Sequence, residues 1–171
     1  MNQNAKAFVS LIVAAVIILL VSLAAYYIGS EYLANSILEE FKMANPDKNF
    51  YNLKEIWETN YFNLVLNMGI IAGAILLLWT ALTYWALNTS SSTGVGKRWL
   101  WMLLGLILAG VCVVFPTVYQ QLHNYTLPTG VSIPVLFVIC YCLVGYWFGS
   151  IIVTSDRYKY TPLLARFFKG G

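Results

Sequence analysis

The stretch that decides the fold is FVSLIVAAVIILLVSLAAYYIG, residues 8–29, which contains no charged side chain. An α-helix rises ~1.5 Å per residue, so a run of this length crosses the ~30 Å hydrocarbon core of a bilayer. A secretory signal peptide would have a shorter apolar core and a more basic start than the single Lys6. The run therefore indicates an uncleaved membrane-spanning helix.

Three further apolar runs, 61–87, 99–119 and 131–154, also lack Asp, Glu, Lys, Arg and His. Over the whole chain 60% of the residues are hydrophobic and only 10% are charged, whereas soluble domains carry about 25% charged residues. Such a composition suits a protein whose outer surface faces lipid. We therefore predict an all-α integral membrane protein, with residues 1–171 forming a single four-helix bundle.

The distribution of Lys and Arg predicts the orientation, because basic loops stay on the cytoplasmic side of the membrane. They are concentrated in the N-terminal tail, the loop after the second run and the C-terminal tail. These residues are Lys6, Lys97, Arg98, Arg157, Lys159, Arg166 and Lys169. The segment 30–60 is acidic instead. The segment 120–130 contains no Asp, Glu, Lys or Arg, and its one histidine is His123. We expect both termini in the cytoplasm and place the chain in the bacterial inner membrane.

The acidic segment 30–60 is long enough to form a helical hairpin outside the membrane. Two short amphipathic patterns flank Asn45-Pro46-Asp47, a sequence that favours a turn. The first pattern is either a separate short helix or a direct continuation of the first span, and the second leads into the next span. The apolar face of this predicted hairpin is the candidate contact for a partner outside the membrane. The residues of that face are Leu33, Ile37, Phe41, Leu53 and Trp57.

The tail 155–171 mixes basic and apolar side chains. Thr161 and Pro162 suit the N-cap and first turn of a short amphipathic helix lying on the inner leaflet. Together with the basic loop, the tail is the candidate surface for lipid head groups or a cytoplasmic protein partner. That surface comprises Lys97, Arg98, Arg157, Lys159, Arg166, Phe167, Phe168 and Lys169.

Glycine pairs four residues apart occur in two of the spans. They are Gly69 with Gly73, and Gly145 with Gly149. This spacing lets helices approach closely. We favour contacts within the bundle, and contacts between the protomers of a homo-oligomer are the alternative. Asn67 should face another helix, because an amide in lipid needs a partner.

The spans contain no Asp, Glu, Lys, Arg or His, whereas membrane enzymes and transporters usually place such ionisable groups at mid-membrane. Cys112, Cys140 and Cys142 lie inside apolar runs and suit small packing residues better than a disulfide framework. We expect no enzymatic activity, no metal or cofactor, and no nucleic-acid partner.

The leading hypothesis is a non-enzymatic membrane subunit that acts as a sensor or anchor. A bacterial defence or competition system would use such a part. The alternative is a small oligomeric channel or membrane-disrupting effector, since a dewetting gate needs no charge. The channel hypothesis predicts that Asn67, Thr80 and Thr83 face a common axis.

Overall fold

A computed structural model gives the fold of most of the chain, and the described residues are helical with no strand among them. The structure describes residues 2–33, 38–39, 42–43, 46–47, 49–87, 94–122, 132–158 and 161–163. In chain order the α-helices are α1 (Gln3–Ile28), α2 (Phe50–Ala81), α3 (Gly94–Leu122), α4 (Ser132–Phe137) and α5 (Gly149–Val153). The wider π-helical turns are Gly29–Leu33 after α1, Leu82–Ala86 after α2, and Val138–Phe148 between α4 and α5.

Within the described residues, four helical stretches are long and apolar enough to cross a membrane, which confirms the predicted number. These spans are Gln3–Glu31, Lys54–Ala86, Gly96–Tyr119 and Ile133–Val153. The chain is therefore a multi-pass membrane protein. The first three spans extend beyond their apolar runs, because polar residues at a helix end continue the backbone hydrogen bonding without entering the hydrocarbon.

The region predicted as an outer hairpin is described only in part. Residues 50–60 form the first turns of α2 rather than a separate helix, since no helix breaker follows Phe50. Ile37 and Phe41 lie outside the described residues, as do the side chains of Leu33 and Leu53.

One cluster of buried side chains draws on all four spans. Its largest fully buried members are Trp79 and Tyr61 from the second span, and Tyr141 and Phe137 from the fourth. Burying such aromatic rings contributes most of the contact area of a core this small. The centre of the protomer is therefore filled by side chains.

The fourth span keeps a buried face with a spacing of four residues. This face comprises Ile133, Phe137, Tyr141, Gly145, Gly149 and Val153. In an α-helix, residues four apart drift around the axis by about 40° per step. The π-helix has wider turns with i→i+5 bonds, which offsets this drift. The π-helical winding therefore keeps the six residues on the face that packs against the other spans.

Candidate functional site

Both ends of the described chain lie at the same end of the spans, which we call the termini end. The Lys6 ammonium lies 3.1 Å from the Asp156 carboxylate, which places the start of α1 beside the end of the fourth span. Gln3 donates to the Tyr84 carbonyl at 3.0 Å, and the Tyr84 hydroxyl is 2.9 Å from Ser10 Oγ. The first and second spans are thus joined by polar contacts at this end.

Residues 150–155 connect the fourth span to the second and third spans through buried hydrogen bonds. Trp79 Nε1 donates to Thr154 Oγ1 at 2.8 Å. Trp101 Nε1 donates to Ser150 Oγ at 2.9 Å, and Ser155 Oγ donates to the Thr83 carbonyl at 3.1 Å. A hydrogen bond between buried groups contributes about 1 kcal/mol, and losing one partner costs more. These bonds fix the end of the fourth span in place.

Lys97 is placed differently from the sequence interpretation, which assigned it to a lipid or partner surface. Its side chain is only 8% exposed. The ammonium donates to the Tyr158 hydroxyl at 3.3 Å and lies 4.4 Å from the centre of that ring. The Tyr158 hydroxyl in turn donates to the Leu87 carbonyl. Because a cation–π contact and a hydrogen bond both hold the charge, Lys97 is a tether for residues 156–158.

The remaining residues of the predicted basic surface are only partly described. Arg98 is exposed. The Arg157 side chain lies outside the described residues, as do five further positions of this surface: Lys159, Arg166, Phe167, Phe168 and Lys169. Further along the chain, Trp147 Nε1 donates to the Leu163 carbonyl at 2.9 Å, and Pro162 is buried. Pro162 and Leu163 therefore lie against the side of the fourth span.

The glycines predicted at helix contacts all lie against other helices of the same chain. A Cβ on Gly69 would meet Ser22, and one on Gly73 would meet Ile18. A Cβ on Gly145 would also meet Ile18, at 3.3 Å, and one on Gly149 would meet Leu76 at 3.2 Å. These glycine faces are filled by contacts within the protomer, so they give no support to an oligomer.

Asn67 does not share a face with the buried threonines of the second span. Its side chain is exposed, and its amide donates to the Asn63 carbonyl at 2.9 Å. Thr80 and Thr83 are at most 1% exposed and bond to carbonyls of their own helix. Among the described residues, Asn67 makes no hydrogen bond to another helix, so the expected contact is not found there. The common axis that the channel hypothesis predicts for these three residues is therefore wrong.

Trp57, predicted as a contact for an outer partner, belongs to the protein's own core at the opposite end. It is 3% exposed and stacks on Tyr61 with the ring centres 5.1 Å apart. Leu38, which follows the first span, is 1% exposed and joins the same cluster. The Trp57 indole N–H has no hydrogen-bond partner among the described residues.

Sequence reasoning missed the polar residues that join the spans at the termini end. Ser150 and Thr154 are one helical turn apart at the end of an apolar run, and Ser155 and Asp156 follow directly. Hydroxyl groups one helical turn apart at the end of an apolar run could have indicated hydrogen bonds to a neighbouring span. Their partners, Trp79, Trp101 and Thr83, could not be identified without the arrangement of the spans.

The described residues contain no group of three or more His, Cys, Asp or Glu side chains placed to hold a metal ion. What they do assemble is a network of hydrogen bonds and one ion pair that fixes where the tail leaves the spans. No protein-family model, curated protein or solved structure matches this chain.

Proposed function

We propose that this chain is a non-enzymatic subunit of a bacterial inner-membrane complex, acting as its anchor or sensor. In this proposal the four spans form a bundle, both termini are cytoplasmic, and residues 30–60 make an outer hairpin. The observation that supports it is the set of contacts that ties residues 150–158 to each of the other three spans.

These contacts matter because they order the chain just before its basic tail. Binding costs free energy when flexible segments become fixed, and a segment that is already ordered avoids part of that cost. The tail begins at a point held by Lys97 and Asp156, and its next described turn is held by Trp147. A tail presented in this way suits an acidic protein surface on the cytoplasmic side.

The experiment removes charge from the tail without changing its length. We expect Arg166→Gln with Lys169→Gln to release a cytoplasmic protein that co-purifies with the wild-type chain in mild detergent. The matched control is Lys42→Gln with Lys54→Gln, which removes the same charge from the predicted outer segment. Mass spectrometry of the purified complexes measures the recovery of each protein. Equal recovery from all three samples, or no second protein with the wild type, would overturn the anchor proposal.

The assembly we propose is a homo-oligomer that meets at the exposed face of α2 carrying Asn67. Asn67 lies inside the apolar run 61–87 of the second span, where lipid offers no hydrogen-bond partner. One amide N–H is satisfied by Asn63, and the amide oxygen has no partner among the described residues. A second copy of the chain would supply one, since asparagine amides pair across helices in membranes.

Truncating this amide is expected to weaken association between copies. Asn67→Ala should reduce the association constant about threefold to thirtyfold, because an interhelical hydrogen bond in lipid contributes roughly 0.6–2 kcal/mol. Leu66→Ala is the control, since Leu66 is the neighbouring lipid-exposed residue. Energy transfer between labelled chains in liposomes, at several protein-to-lipid ratios, gives the constants. A monomeric wild type, or equal constants for both variants, would rule out this interface.

A further inference from the structure

Two of the three cysteines meet at the contact between α3 and the π-helix of the fourth span. Cys112 Sγ lies 3.7 Å from Cys142 Sγ. Cys112 is fully buried, and its thiol also donates to the Phe137 carbonyl at 3.5 Å. The Cys140 thiol makes no hydrogen bond among the described residues, although Cys140 is also buried and only two positions from Cys142. The pairing is therefore a specific feature of these two side chains.

The distance suits the formation of a bond between them. Sulfur atoms in a disulfide are about 2.0 Å apart, and the two side chains already point toward each other across one helix contact. The two sulfur atoms therefore have to approach each other by only about 1.7 Å to form the bond. The result would be a covalent link between the third and fourth spans.

Cys142 is also accessible from the membrane. It lines an apolar groove of about 300 Å³ between the third and fourth spans, with Trp101, Gly105 and Tyr146. The other residues that line it are Met102, Leu106, Val138, Leu143 and Trp147. Because the groove lies within the spans and has almost no polar lining, only a lipid-soluble molecule will enter it. Cys112 has no exposure of its own and is reached through its partner.

We propose that Cys112 and Cys142 are a redox-active pair, which a lipid-soluble quinone in this groove oxidises to a disulfide. Two S–H bonds break and one S–S bond forms. Two electrons and two protons pass to the two quinone oxygens, giving the hydroquinone. The inference concerns the thiols alone and does not depend on the partner or the oligomer proposed above.

Oxidation has a structural consequence at the start of the π-helix. The Phe137 carbonyl, directly before Val138, loses the thiol proton that Cys112 donates to it. At the same time the third and fourth spans become linked beside the groove. The two redox states therefore differ in both the bonding and the mobility of this contact.

The test counts free thiols in the full-length protein reconstituted in liposomes and treated with duroquinone. After denaturation, a maleimide and mass spectrometry report the alkylated cysteines. The wild type is expected to fall from three free thiols to one, and a reductant should restore all three. The matched control Cys140→Ala should still lose two thiols, whereas Cys112→Ala and Cys142→Ala should lose none.

Two variants test whether the quinone reaches the thiols through the groove. Leu106→Trp fills the groove and should slow oxidation several-fold, whereas Ile107→Trp adds the same ring at an adjacent exposed position that does not line it. Three alkylated thiols in the treated wild type would overturn the proposal, as would a disulfide that contains Cys140 or joins two chains. Equal rates for the two tryptophan variants would overturn the assignment of the groove as the quinone site.

Discussion

A Gly29→Ala substitution is expected to destabilise the fold by about 2–4 kcal/mol, although alanine is the better helix former. The reason is the ring of Tyr61. A Cβ atom on Gly29 would lie 2.0 Å from both Cζ and Oη of that side chain. Real Cβ atoms do not approach other heavy atoms so closely, so the ring has to move.

Tyr61 has no easy direction in which to move. It is 1% exposed, and its hydroxyl donates to the Ala25 carbonyl at 2.7 Å. Its ring stacks on Trp57 and also on Tyr26, with ring centres 6.1 Å apart in the second pair. Displacing the ring leaves a buried hydroxyl without its partner and disrupts both stacked pairs, which adds to the cost of overpacking.

Chemical unfolding in detergent, followed by tryptophan fluorescence, measures this loss. Gly110→Ala is the control, because a Cβ there has no atom within 4 Å and should add up to about 1 kcal/mol of helix stability. In a Tyr61→Leu background the ring is gone, and Gly29→Ala should then cost much less. Similar stabilities for Gly29→Ala and Gly110→Ala would show that Tyr61 does not pack on Gly29.

The number and approximate positions of the spans were predictable because each depends on a local property. A bilayer requires a run of apolar residues, and the runs beginning near Phe8 and Trp99 can be recognised without knowing the rest of the fold. The helix ends were less predictable. In the structure α2 begins at Phe50, well before the apolar run. Helical hydrogen bonding continues through polar residues, which a search for apolar runs leaves out.

Features that depend on how the spans are placed together could not be predicted in the same way. The burial of Lys97 requires Tyr158, which is distant in sequence, to fold back over it. The meeting of Cys112 with Cys142 depends on π-helical winding, which changes the direction of each side chain relative to an α-helix. The glycine spacing predicted that helices approach closely at these positions, but it could not predict which residue of the other helix each glycine contacts.

Gly69 packs against Ser22 of the first span, and this contact predicts a second large loss of stability. A Cβ on Gly69 would lie 2.5 Å from Ser22 Oγ but 3.6 Å from Ser22 Cβ. The Tyr141 hydroxyl, 3.2 Å from Ser22 Oγ and 3.1 Å from the Val65 carbonyl, crowds the same place. We expect Gly69→Ala to cost about 1–3 kcal/mol, measured by the same unfolding experiment.

The conflict involves one oxygen atom, so removing that atom should remove most of the cost. Combining Gly69→Ala with Ser22→Ala leaves two ordinary contacts, 3.6 Å from the Cβ at position 22 and 3.9 Å from the Tyr141 hydroxyl, and the double variant should be nearly as stable as Ser22→Ala alone. Gly73→Ala is the matched control from the same motif, since its nearest atom is 3.6 Å away on Ile18. If Gly69 instead served a contact between protomers, Ser22→Ala would not rescue it, and the cost would vary with protein concentration. Rescue that is independent of concentration would therefore assign the motif to packing within one chain.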